Sequence, residues 1–143
     1  MKSVEHGKSA GFQPRGVLNR GRSEVRRLLL ASRFSFEGLR SAVRLESAFR
    51  LEVILGIVHY VLLFCLEMPV AAKVVLATLW MLMLVIELLN SAIEAVVDLV
   101  SPEWNELAKR AKDYGSAAVF CVILGIVIGW LSVLVPIMAA CLK

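Results

Sequence analysis

ELLNSAIEAVVD, residues Glu87 to Asp98, continues an apolar run that opens at Val70, and it is acidic where such a run is ordinarily greasy. At about 100° per residue, the side chains of Glu87, Asn90, Ser91, Glu94 and Asp98 fall on one stripe of a helix. Leu88, Leu89, Ile93, Val96 and Val97 cover the rest of its surface. A carboxylate in or near hydrocarbon costs several kcal/mol unless it is neutralised, paired or bound to a cation, so residues of this kind point to function. Packing hydrogen bonds between membrane helices usually need one or two uncharged groups, not three acids.

Working outward, the apolar surroundings set the class of protein. Hydrophobic residues make up 59% of the 143, and the mean hydropathy is +0.76. A soluble helical core can hide one fully apolar helix, but it lacks the polar chain to cover three, so the reading is an all-α integral membrane protein. Three hairpinned helices in one small domain make a thin core, and a homo-oligomer is expected to complete it.

The net charge is +4, and 11 of the 16 Lys and Arg lie within residues 1–50 against four Glu. Nucleic acid could read such a patch, but no known binding motif is present and membrane follows immediately, so anionic lipid headgroups are the simpler partner of this arm, and no nucleic acid is expected. Cys65, Cys121 and Cys141 sit singly in apolar segments with no CxxC spacing, and read as buried, inert thiols.

Residues 1–22 mix Gly7, Gly11, Pro14, Gly16 and Gly21 with charges and read as a flexible tail without a signal peptide, His6 being simply solvated. A single membrane domain is expected over 23–142. From Ser23, a plausible N-cap, Val25, Leu28, Leu29, Phe36, Leu39 and Val43 alternate with Arg26, Arg27, Arg33, Arg40 and Arg44. That is a basic amphipathic helix, about 23–45, suited to lie on the membrane surface, with Ser35 and Gly38 as candidate breaks.

The first spanning helix is expected over about 48–67. Only 14 uncharged residues separate Glu52 from Glu67, so it must reach back through Phe49, leaving Glu46 and Glu52 at the interfacial end and Arg50 free to snorkel. His59, mid-helix, reads as a neutral hydrogen-bonding group between helices. Pro69 ends that helix and opens the second, about 70–100. At about 1.5 Å per residue the second is longer than the hydrocarbon is thick, so Glu94 and Asp98 approach water. Ser101 and Pro102 look like the N-cap and first position of the next helix. There Lys109, Lys112, Asp113 and Ser116 form a second polar stripe, followed by an uncharged third span, about 114–141, in which Gly115, Gly125 and Gly129 permit close approach and Pro136 is a candidate kink or stop.

The arm and the loop between the second and third spans hold 14 of the 16 basic residues, which places the N-terminus and that loop in the cytoplasm and the C-terminus outside. Glu46, Glu87, Glu94, Asp98, Lys112 and Asp113 then gather at the cytoplasmic interface. Clustered carboxylates with an amide, a lysine and nearby arginines suit a magnesium nucleotide, although neither common glycine-rich phosphate cradle is present. Periodicity leaves open a carboxylate-lined ion or proton path and a small packing protein. A path would spread its acids through the bilayer depth, whereas these collect at one end.

The run ELLNSAIEAVVD, the later ELAKRAKDYGSAAV at 106–119 and the earlier FSFEGLRSAVRLESAFRLE at 34–52 closely resemble the small bacterial integral-membrane diacylglycerol kinases over about residues 24–142. The resemblance implies a homotrimer in the bacterial inner membrane, each chain having an amphipathic surface helix and three transmembrane helices, with active sites shared between subunits. Its implied activity is transfer of the γ-phosphoryl of ATP, with Mg²⁺, to a hydroxyl of diacylglycerol, giving phosphatidic acid. The related acceptor undecaprenol is the alternative within the same family.

Carried over by position, Glu87 looks like the general base and Glu46 and Glu94 like the metal-binding pair. Lys112 looks like the contact to the phosphates, and Asp113, Arg27, Phe34, Glu103, Trp104 and Asn105 like further nucleotide contacts. Glu52, Asn90, Asp98 and Ser116 match supporting or lipid-facing positions. Where the family often has aromatic-Ser-Trp-Lys-Gly, this chain has Phe34-Ser35-Phe36-Glu37-Gly38, so Glu37 replaces a lysine. A carboxylate on the lipid side of the stripe is poorly solvated, which suits a group that must take up a proton near neutral pH.

Overall fold

The computed structural model describes the backbone of residues 24–141 and the side chains of 26–139. The tail, His6, the Ser23 cap and the Cys141 thiol lie outside those residues. Four helices follow in order: α1 Glu24–Leu45, α2 Ser47–Cys65, α3 Val70–Val100 and α4 Glu106–Cys141. Three of them, over Ser47–Cys65, Val70–Val100 and Glu106–Ala139, are long and apolar enough to cross a membrane, and there is no strand among the described residues.

The chain divides into two compact units, one ending at Leu39 and the other beginning at Arg40. Within the first, α1 runs unbroken through both candidate break points. The Ser32 and Ser35 hydroxyls donate to the Leu28 and Ala31 carbonyls, each at 3.0 Å, so they bond back along the helix and leave it continuous. Gly38 meets nothing within 4 Å, and Arg33 holds Glu37 at 2.9 Å one turn on. The charge of Glu37 is thus spent inside the helix.

In the second unit, α2 stops where Glu67, Met68 and Pro69 turn the chain; the Leu66 N–H still reaches the Leu62 carbonyl, and Pro69, which has no N–H to lose, stands at the N-cap position of α3. The core is thin. Trp80 and Met83 of α3 pack on Ile126 of α4, with Leu79, Leu84, Val122 and Trp130 around them. Leu76 and Gly129 approach so closely that a Cβ on the glycine would lie 2.8 Å from Leu76 Cδ2, whereas at Gly125 the nearest atom is at an ordinary 3.8 Å.

His59 of α2 joins all three spans. Its Nδ1 accepts from Trp130 Nε1 at 3.3 Å, and its ring stacks on Trp80 with centroids 4.5 Å apart, so it is the interhelical hydrogen-bonding group its sequence position suggests. Gly56, one turn earlier, leaves room for the Trp80 indole, whose Nε1 would stand 2.6 Å from a Cβ there.

Three readings of the sequence need correction: the cap of α4, Pro136 as a stop, and the buried cysteines. The cap of α4 is Asn105 and its first residue is Glu106: Asn105 Oδ1 accepts from the Leu107 and Ala108 N–H groups at 2.8 and 3.2 Å, while Ser101 Oγ turns to the Glu103 carbonyl and Pro102 stays in the loop. Arg50 folds its guanidinium back on the Val43 and Arg44 carbonyls at the end of α1, which lack helical partners. Pro136 lies inside α4 without ending it. Cys65 and Cys121 are exposed on the single chain and not buried, because three helices cover only a narrow strip of one another's surface.

Candidate active site

The acidic stripe of α3 is graded. Glu87 is only 6% exposed and Asn90 9%, Glu94 is half-buried, and Asp98 is exposed near the end of the helix. The gradient follows from the packing of α3 against α2 and α4, which is tight around Met83 and Glu87 and opens toward the loop at Ser101–Asn105.

Two further carboxylates join it from elsewhere in the chain. Glu46 occupies the single non-helical residue between α1 and α2, at φ −96° and ψ 114°. Its N–H bonds back to the Ala42 carbonyl at 2.9 Å and its side chain caps nothing, so the carboxylate is released from backbone duty. Glu87 feels the charges of Glu94 and Glu46, and Glu52 of α2 feels that of Glu87. Glu52 Oε2 is buried without a hydrogen-bond partner.

No ion pair among the described residues offsets this group. The described ion pairs are Arg33–Glu37, Lys109–Asp113 and Lys112–Asp98, so Glu46, Glu52, Glu87 and Glu94 have no basic partner among the described residues. The one bond within the stripe runs from Asn90 Nδ2 to Glu94 Oε1, at 3.3 Å. Four carboxylates around one helix end without a counter-charge form a site that would hold a cation or take up a proton.

No set of three His, Cys, Asp or Glu side chains among the described residues stands close enough to hold a metal unaided. Magnesium does not require such a cage, since it commonly uses one or two carboxylates with waters and phosphate oxygens. Glu46 and Glu94, hard oxygen donors without a lysine or arginine, fit that donor set.

The positively charged side of the site comes from α4. Lys112 Nζ meets Asp98 Oδ1 at 2.6 Å across the two helices, and Asp113 is held by Lys109 at 2.7 Å within α4. The stripe Lys109, Lys112, Asp113 and Ser116 is therefore divided: one cation faces α3, the other is used locally, and Ser116 is exposed. Asn105 is committed to capping α4, and Trp104 beside it is 82% exposed. Arg27 and Phe34 belong to the first unit, on α1, and Phe34 has an interaction of its own.

Comparison with known proteins decides the relationship. Residues 33–134 match the family model described as prokaryotic diacylglycerol kinase. The chain belongs to the prokaryotic diacylglycerol kinase family. It is 43% identical over 104 residues to the diacylglycerol kinase of Escherichia coli strain K12, covering 73% of this chain and 85% of that one. It is 40% identical over 115 residues to the diacylglycerol kinase of Pseudomonas aeruginosa, covering 80% and 94%. For the diacylglycerol kinase of Haemophilus influenzae the figures are 39% over 103 residues, 72% and 87%.

Membership of the prokaryotic diacylglycerol kinase family makes this chain an enzyme, a membrane-bound lipid kinase. Every acid of the cluster lies inside the matched stretch, as do Lys112, Asp113 and Glu103–Asn105; Arg27 lies outside it. The closeness of Glu52 to Glu87 was not readable from spacing, since 35 residues and a turn separate them.

Proposed function

We propose that this lipid kinase transfers the γ-phosphoryl group of ATP, with Mg²⁺, to the primary hydroxyl of diacylglycerol, producing phosphatidic acid and ADP at the cytoplasmic face of the bacterial inner membrane. The observation that carries this reading is the buried Glu87, flanked by Glu46 and Glu94 with no basic partner among the described residues, in a chain whose relatives are diacylglycerol kinases.

Glu87 is the general base. Sheltered from water beside hydrocarbon, its carboxylate accepts the proton of the lipid hydroxyl as that oxygen bonds to the γ-phosphorus and the bond from phosphorus to the β,γ-bridging oxygen breaks, leaving with ADP. Glu46 and Glu94 hold Mg²⁺, which when bound neutralises charge on the phosphate oxygens. Lys112, steadied by Asp98, lies against the phosphates. Asp113, Arg27, Phe34 and the Glu103–Asn105 loop contact the nucleotide. Glu52, Asn90, Asp98 and Ser116 support the acid cluster or meet the lipid.

The active form is a homotrimer with sites shared between subunits, because a single chain leaves most apolar faces of its three spans uncovered. The arginines of α1, alternating with exposed Leu28, Leu29, Phe36 and Leu39, hold that helix to anionic headgroups.

The test is an assay of purified protein in mixed micelles with radiolabelled ATP and either diacylglycerol or undecaprenol. Label should enter phosphatidic acid, stop with EDTA, and appear faster with diacylglycerol. ATP hydrolysis indifferent to either lipid overturns the reading, and preferential labelling of undecaprenol replaces the acceptor.

A further inference from the structure

Asn90, like Glu87, is buried on the stripe. Its Nδ2 donates to Glu94 Oε1 at 3.3 Å, while its Oδ1 is buried and has no hydrogen-bond partner. The residue opposite that oxygen is Gly115 of α4, itself buried, and a Cβ grown on Gly115 would run into Asn90 Oδ1. The direction of that missing Cβ is that of a glycine Cα–H, so a hydrogen of Gly115 is what Oδ1 meets, a contact too weak to compete with the bond on the other side of the amide. Asn90 and Gly115 line the same groove between α3 and α4, about 500 Å³ with Leu89, Ile93, Ala111 and Ala118.

We infer that Gly115 is a positioning residue of the phosphoryl-transfer site: by having no side chain it lets the Asn90 carboxamide lie against α4 with its N–H edge toward Glu94, and so sets the direction of the Glu94 carboxylate. The amide has only one useful orientation. Turned over, it would place Oδ1 against the Glu94 carboxylate, oxygen facing oxygen, and its N–H against a Cα–H. A methyl at position 115 forces the amide out of this slot and frees Glu94. The role of Glu94 as a metal ligand rests on the function proposed above; the Gly115–Asn90–Glu94 geometry does not.

Mn²⁺ serves as the probe, its retention by full-length protein in micelles with ATP read by electron paramagnetic resonance, alongside kcat and the thermal midpoint. Gly115→Ala should weaken Mn²⁺ retention by about tenfold, the low end for loss of an outer-shell partner. Glu94→Gln should weaken it too, and Gly115→Ala with Glu94→Gln should lie within about twofold of Glu94→Gln alone, since both changes act through one carboxylate. Gly129→Ala, a crowded change against Leu76 away from the acid stripe, should lower the midpoint and leave Mn²⁺ retention alone.

Retention by Gly115→Ala within twofold of wild type, or effects that multiply in the double variant, overturns the inference. If Glu94→Gln itself retains Mn²⁺ normally, the ligand role of Glu94 fails, and positioning is then judged by the same cycle in kcat, where multiplication overturns it. Should Gly115→Ala not fold, adding Asn90→Ala removes the clash. That pair should fold yet hold Mn²⁺ poorly, and retention equal to wild type sinks the inference.

Discussion

Lys112 Nζ lies 2.6 Å from Asp98 Oδ1, and this pair, 14 residues apart in the chain, joins α4 to the water-facing end of the acidic stripe on α3. The side chains are 36% and 66% exposed, so the pair contributes only about 0.5 kcal/mol to stability. Its consequence is direction: it holds the ammonium over α3, on the side where Glu94 lies one turn earlier.

Asp98→Asn should therefore shift the thermal midpoint very little but raise KM for ATP by about three- to tenfold, with kcat less affected, as expected when a ground-state phosphate contact loses its orientation. Steady-state kinetics at saturating lipid checks this. An unchanged KM would show that Lys112 needs no holding by Asp98.

Glu87→Gln keeps shape and one acceptor but cannot take a proton. Its kcat should fall by about 10²–10⁴-fold with little change in nucleotide affinity. Glu94→Gln should instead weaken the apparent affinity for magnesium, and high magnesium should restore part of its rate. A magnesium titration of both variants beside wild type distinguishes the roles. Rescue of Glu87→Gln and not of Glu94→Gln would exchange them.

Trp130→Phe deletes the N–H that His59 Nδ1 accepts and leaves a buried acceptor in a residue that is 4% exposed. The expected cost is about 1–3 kcal/mol, read as a lower midpoint in sodium dodecyl sulfate unfolding, with activity under permissive conditions close to wild type. A loss of turnover without loss of stability would place the His59 cluster in the reaction.

Sharing of sites between chains is open to a mixing experiment. Glu94→Gln and Lys112→Ala, each assayed at limiting magnesium where its own rate is low, should partly recover activity when combined in one oligomer, because one intact composite site can draw Glu94 and Lys112 from different subunits. The measurement is activity against mixing ratio in reconstituted oligomers of verified composition. Absence of recovery there would mean that each site is built within one chain, consistent with the Lys112–Asp98 contact being intramolecular.

Much was legible before any coordinates. Apolar length is a local property, so three spans and their turn at Pro69 follow from counting residues. Periodicity is equally local and places Glu87, Asn90, Glu94 and Asp98 on one stripe, with even the Asn90–Glu94 bond implied by an i, i+4 spacing. The ELLNSAIEAVVD and KDYGSAAV runs carry the family membership, because a long polar pattern embedded in apolar helix is improbable unless chemistry requires it.

What the sequence by itself determined is therefore the helices, the polar face of each and the family to which they belong. The tertiary structure decided which faces meet: Lys112 with Asp98 and not with its neighbour Asp113, Glu52 beside Glu87, His59 between Trp80 and Trp130, Asn105 and not Ser101 at the head of α4. The physical reason is that a helix carries its own hydrogen bonds and so its own period, while its rotation against another helix is set by how bulky and absent side chains interlock along the whole contact. Trp80 over Gly56, Leu76 against Gly129 and Asn90 against Gly115 fix those rotations, and each pair joins residues that no local pattern connects.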